Sequence, residues 1–282
     1  MTPPAANSAR MQKLKISETK EGLEFMKFCG KSDVGLQRKI NQDSYKCFSL
    51  WGGEATLLVV CDGMGGHKAG EIASSKAISA FCDKMVSSPC LSEDPSEQLY
   101  EIRYTMVSAA KAANSLIYRM SSDFDELSGM GTTLVAGLVF NNRLFCVNIG
   151  DSRLYILTEA ESRQITHDHS FVQYLLDYGK ITPEEAKTYP RKNVITQAVG
   201  INRSAEADFF CVRLSDWGSG YLLLCSDGLS NYVDAQAMTK VLYGAPKCED
   251  GSTDLGAAAD KLISLANAAG GADNITAVVA QF

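Results

Sequence analysis

The stretch LLVVCDGMGGHKAGEIAS, Leu57–Ser74, sets an apolar run against an aspartate, a glycine cluster and then a helical pattern. Leu57–Cys61 is continuous and β-branched, as a strand buried on both faces would be. From Glu71 onward, apolar residues recur at helical spacing: Ile72, Ala73, Ala77, Ile78, Phe81 and Met85. Asp62-Gly63 between them reads first as a turn, the commonest use of Asp-Gly after a strand. A strand–glycine–helix join is also how dinucleotide folds hold a pyrophosphate. Here GMGGHK matches neither GxGxxG nor GxxxxGK[ST]. An acid just before the glycines also repels phosphate unless a metal ion intervenes.

Outward from this stretch, strands and helices come in groups. Strands are expected in LEFMKFCGKSDVG and DSYKCFSL before it. A second long helix follows, with Leu99, Ile102, Met106, Ala109, Ala110, Ala113 and Ile117 as its inner stripe. TTLVAGLVFNNRLFCVNIGDSRLYILT reads as two or three strands around an Asn141-Asn142 turn. SFVQYLLDYG is a helix, and Thr182-Pro183 starts another, with Thr182 as its cap. DFFCVRL and YLLLCSDG are strands, then come helices near Ala235–Tyr243 and Thr253–Ala269, then a last strand in NITAVVAQF. Two long helices in succession and strands in hairpins argue against a βαβ parallel sheet. The pattern predicts an α+β fold built on antiparallel sheets covered by helices.

Composition narrows the class. The chain has 282 residues, 45% hydrophobic and 21% charged, with a formal net charge of -6. That size supports a substantial core, and the acidic balance makes nucleic acid an unexpected partner. The nine cysteines form no CxxC pair, and Cys61, Cys146 and Cys225 sit inside apolar runs. This usage fits a reduced cytoplasmic chain better than a disulfide scaffold or a zinc site. No stretch approaches the roughly 18 to 20 apolar residues of a membrane span. Residues 1–17 read as a flexible tail and residues 18–282 as one domain.

Asp62 has two counterparts. Asp227 ends YLLLCS and Asp273 precedes NITAVVA. In an antiparallel sheet the end of one strand lies beside the start of its neighbour. Three carboxylates gathered there raise one another's pKa unless a cation sits among them. An oxygen-only donor set suits Mg²⁺ or Mn²⁺.

Six segments in order, GLQRKINQDSY, VVCDGMGGHKAGEIAS, GMGTTLVAGLV, VNIGDSRLYIL, LLLCSDGL and GGADNITAVV, resemble the protein phosphatase 2C family, especially its bacterial branch. The resemblance runs from about Phe25 to the C-terminus. It implies a β-sandwich of two antiparallel sheets flanked by helix pairs, and hydrolysis of phosphoserine and phosphothreonine by a metal-activated water. By the same resemblance two ions, Mn²⁺ or Mg²⁺, are held by Asp62, the Gly63 carbonyl, Asp227 and Asp273, with Asp43 as a further acid of the centre. Arg38 takes the substrate phosphate and Asn274 serves the same region. His67 and His169 are the candidate proton donors, and His167 is left as a surface residue. A third ion is expected at Glu126 and Asp168, and residues 168–200 match a flap beside the centre. Gln42 stands where relatives carry an acid, and Gln197 where many carry arginine. The implied partners are phosphorylated proteins and a Hanks-type kinase, the enzyme acting as a monomer. A non-catalytic binding module with the same fold, or a phosphatase of small phosphomonoesters, are the alternative readings.

Overall fold

The computed structural model describes residues 26–66, 68–90, 92–191 and 193–282. The expected tail and His67 therefore lie outside the described residues. Among the described residues, eleven strands form two antiparallel sheets. One sheet has the order β1-β11-β10-β7-β8, with β1 Lys27–Asp33, β7 Arg153–Leu157, β8 Ser162–Gln164, β10 Tyr221–Cys225 and β11 Ile275–Gln281. The other has the order β2-β3-β5-β6-β9, with β2 Asp43–Leu50, β3 Ala55–Met64, β5 Leu134–Phe140, β6 Arg143–Ile149 and β9 Asp208–Arg213. The short β4, Gly131–Thr132, pairs with the end of β3.

The alternation of β3 explains why its sequence is apolar throughout. Leu58 and Val60 point between the sheets, where they meet Val135, Leu154, Leu224 and Val278. Leu57, Val59 and Cys61 face the other way, onto α1, Ala69–Val86, and α2, Pro95–Asp123. The outer face of the first sheet is covered by α5, Asp227–Ser230, α6, Ala235–Tyr243, and α7, Leu255–Ala268. The result is helix, sheet, sheet, helix, the expected α+β sandwich.

Local chemistry sets the joins. Asn141 and Asn142 both have positive φ, 47° and 58°, the pairing that a two-residue hairpin between β5 and β6 requires. Asp94 caps α2 by accepting from the Ser96 and Glu97 amides, with Pro95 at its first position. Thr182 and Glu185 form a reciprocal capping box on α4, Pro183–Lys187, which follows α3, Phe171–Asp177. The strand β8 was not expected, since Ser-Arg-Gln carries no apolar alternation, and it forms only as an edge beside β7.

Candidate metal centre

Chain reversal brings the acids to one end of the sandwich. Asp43 opens β2 and Asp62 lies near the end of β3, and the two are directly paired in the β2–β3 register. Asp227 follows β10, Asp273 precedes β11, and Asp151 lies between β6 and β7. The backbone of Asp62 is fixed by Thr133, whose hydroxyl accepts its N–H at 2.9 Å, and by the Thr132 hydroxyl donating to its carbonyl at 2.8 Å. Gly63 has no room for a side chain, because a Cβ there would sit 2.1 Å from the Gly70 carbonyl oxygen. At Gly35, with φ +78°, a Cβ would sit 2.2 Å from the Asp273 carbonyl oxygen, so only glycine lets the Arg38 loop seat against the centre.

The electrostatics are those of negative charge gathered with too little to offset it. Burial, with the charges of Asp227 and Asp273, pushes Asp43 up to about 7 against the opposing hydrogen bonds from Thr276 at 2.6 Å and Ser226 at 2.7 Å. Burial and the charges of Asp43, Asp227, Asp151 and Asp273 hold Asp62 well above the carboxylate range. Asp227 is raised by burial and by Asp273, and Asp151 is pushed up to about 8 by burial, Asp227 and Asp168. The Oδ1 atoms of Asp43 and Asp227 are buried without a hydrogen-bond partner. A buried oxygen with no donor is costly, and a divalent cation satisfies both it and the repulsion. Among the described residues no three acidic, histidine or cysteine side chains close around a single point. Carboxylate and carbonyl oxygens of this kind are donors for hard divalent cations such as Mg²⁺ and Mn²⁺. The donor set fits such ions.

The remaining candidates fall in three places. Arg38 stands at the rim, half-exposed, donating to Asp273 at 2.9 Å. The Asn274 amide is engaged with the backbone. Its Nδ2 donates to the Val34 and Ile40 carbonyls and its Oδ1 accepts from Gln42 N–H, so it braces the loop carrying Arg38. His169 has both ring nitrogens engaged, by Gly150 N–H, Gln197 and Asp208. His167 is a surface residue paired with Asp177 at 2.8 Å.

The residues expected at a third ion are not all together. Glu126 is exposed in the 3-10 turn Asp125–Leu127 that follows α2. Asp151, Asp168 and Asp227 share the lining of a cavity of about 480 Å³ with Val172, Gln173 and Leu176 of α3. Asp168 is held there by Arg153, whose Nη2 donates at 2.6 Å and Nε at 2.9 Å. Asp151 had a readable signal: Ile149-Gly150-Asp151 repeats the strand-end context of Asp62 and Asp227. Arg153 and the bracing hydroxyls of Ser226 and Thr276 had none, since their partners are distant in sequence.

Known proteins place the chain. The family model for protein phosphatase 2C matches residues 35–253. The serine/threonine phosphatase stp of Listeria monocytogenes is 36% identical over 251 residues, 89% of this chain and 94% of that protein. The serine/threonine protein phosphatase PstP of Mycobacterium tuberculosis is 39% identical over 256 residues, 91% of this chain and 45% of that protein. Among solved structures, Stp1 from Staphylococcus aureus matches with a TM-score of 0.81 at 34% identity, covering 92% of this chain and 96% of that one. The catalytic domain of PstP in complex with two manganese ions matches with a TM-score of 0.74 at 36% identity, covering 90% and 97%. The chain belongs to the protein phosphatase 2C family, and is a hydrolase of that class.

Proposed function

We propose that the chain hydrolyses phosphoserine and phosphothreonine esters in proteins, with Mn²⁺ or Mg²⁺ held by Asp62, the Gly63 carbonyl, Asp227 and Asp273. The observation that supports this best is the acidic edge itself, with its orphaned Asp43 and Asp227 oxygens. When bound, the ions supply an acidified water as nucleophile and positive charge for the phosphoryl oxygens. Asp43, fixed by Ser226 and Thr276, keeps a negative oxygen facing the edge. Arg38 exchanges part of its bond to Asp273 for a bidentate grip on the substrate phosphate, a task its planar fork suits. Asn274 holds the Arg38 loop in register. Asp151 takes the place proposed for Glu126 beside Asp227, with Asp168 tied to Arg153 behind it. His67 stays the candidate donor to the leaving alkoxide.

The substrates in this reading are proteins phosphorylated by a Hanks-type serine/threonine kinase, which the phosphatase opposes as a monomer. All nine cysteines are free, which supports a reducing cytoplasmic setting. Among the described residues no helix is long and apolar enough to cross a membrane. The test is turnover of a phosphothreonine peptide with Mn²⁺, with a chelator, and with Asp227→Asn. Turnover should need the metal and fall by roughly 10² or more in the variant. Chelator-insensitive hydrolysis would overturn the mechanism.

A further inference from the structure

Three parts of the chain meet at one imidazole. His169 Nδ1 lies 3.1 Å from the Gly150 N–H and 3.0 Å from Gln197 Nε2. Its Nε2 lies 3.2 Å from Asp208 Oδ2. A backbone N–H can only donate, so Nδ1 must offer a lone pair. Nε2 then carries the proton and donates it to Asp208. Gln197 agrees with this, since its Nε2 also donates to the Glu206 carbonyl at 2.6 Å. The main chain repeats the link: His169 N–H donates to the Gly150 carbonyl at 2.9 Å, and Thr196 N–H donates to the His169 carbonyl at 2.8 Å.

Gly150 itself needs restraint. It has φ +110°, and a Cβ there would lie 2.7 Å from the Thr133 side chain. Its N–H is held by His169, and its carbonyl accepts from both His169 N–H and Asn148 Nδ2. The next residue, Asp151, shares a cavity with Asp227 and Asp168. Asp227 and Asp168 repel an ionised Asp151, Arg153 attracts it, and the fixed turn sets where it stands. A proton donor, by contrast, must present a free N–H toward the substrate oxygen. The single ring N–H of His169 is already given to Asp208.

We infer that His169 is a positioning residue and not the proton donor: oriented by Asp208 and Gln197, it locks the Gly150–Asp151 turn beside the acidic edge and ties it to the root of the flap. This rests on the phosphatase reading of that edge. It assigns Gln197 a role inside the protein, as the amide that cross-links His169 to the Glu206 backbone.

Nitrogen-15 spectra of the labelled wild-type protein read the tautomer without any turnover. They should show His169 protonated on Nε2 and bare on Nδ1 at neutral pH; an Nδ1–H form would overturn the inference. Kinetics then separate positioning from acid catalysis. The nitrophenolate of p-nitrophenyl phosphate leaves unprotonated, whereas the alkoxide of a phosphothreonine peptide needs a proton. His169→Asn keeps an acceptor near the Nδ1 position and should lose the same factor on both substrates. His169→Leu, with no acceptor, should lose about tenfold more on both and weaken Mn²⁺ binding in calorimetry by a similar factor. A loss on the peptide about a hundredfold larger than on the aryl ester would mark an acid and refute positioning. Should His169→Leu fail to fold, the Asn variant and the wild-type spectrum still decide. Wild-type protein silent on both substrates would sink the phosphatase reading alone, since the tautomer is read independently.

Discussion

Asp43 and Asp62 face each other across the β2–β3 ladder, and Asp227 and Asp273 raise the pKa of both. Like charges directly opposite on neighbouring strands destabilise a sheet, and burial adds a desolvation cost to each. With the carboxylates ionised, the arrangement gains stability only with a cation present. Asp227→Asn should therefore leave the metal-free protein at least as stable as wild type while abolishing the rise in Tm that Mn²⁺ produces; a lower metal-free Tm would contradict this account. Gln42 is the neutral neighbour of this set. A Cβ on Gly70 would lie 2.6 Å from its Nε2, so its amide rests against the start of α1. Gln42→Glu adds a negative charge at the same spot and should raise divalent-ion affinity in calorimetric titration. Unchanged affinity would show that Gln42 does not govern the second ion.

At the scale of elements, residues 168–200, the proposed flap, are pinned at both roots. Its first root is His169. Its second is the return through Val199–Arg203, where Val199 and Thr132 exchange backbone hydrogen bonds at 2.8 and 3.0 Å. Asn114, buried in α2, accepts from Gly200 N–H at 2.8 Å and donates to the Asn202 and Arg203 carbonyls at 3.1 and 3.2 Å. One side chain thus satisfies three backbone groups of a loop that has no ladder of its own there. Asn114→Ala leaves them wanting and should lower unfolding free energy by about 2–4 kcal/mol in urea titration. A change under about 0.5 kcal/mol would mean that water replaces the amide at no cost. The helical stripe of α2 was legible from spacing, but Asn114 was not: it falls on the apolar face and looks like an interruption until Gly200 is seen beside it.

For the whole molecule, stability and metal binding are linked through pH. Asp43 moves from the ordinary 3.8 to about 7 and Asp151 to about 8, both mainly through burial. Each therefore holds its proton more tightly folded than unfolded. Their contribution is fully present below about pH 4 and is lost as pH climbs through about 7 and 8. In chelator, Tm should fall between pH 5.5 and 8.5. With saturating Mn²⁺ the ionised carboxylates are the ligands, so the fall should vanish or reverse over the same interval. Parallel curves with and without metal would show that these acids do not bind it.

Residue order carried antiparallel sheets covered by helices, because apolar runs such as Leu57–Cys61, the Asn141-Asn142 turn and the two consecutive helices are local signals of period, turn chemistry and succession; the two-sheet sandwich came with the family resemblance. Residue order carried Asp62, Asp227 and Asp273 as candidates as well, since the first two end apolar strands and the third stands just before one. Folding supplied what depends on partners far apart in the chain. It put Asp151 rather than Glu126 beside Asp227, spent the Asn274 amide on backbone, and filled both nitrogens of His169. The physical reason is common to all three: whether a polar group is free for chemistry depends on which donors and acceptors surround it. Strand pairing and loop closure bring those together from positions that no window of sequence contains.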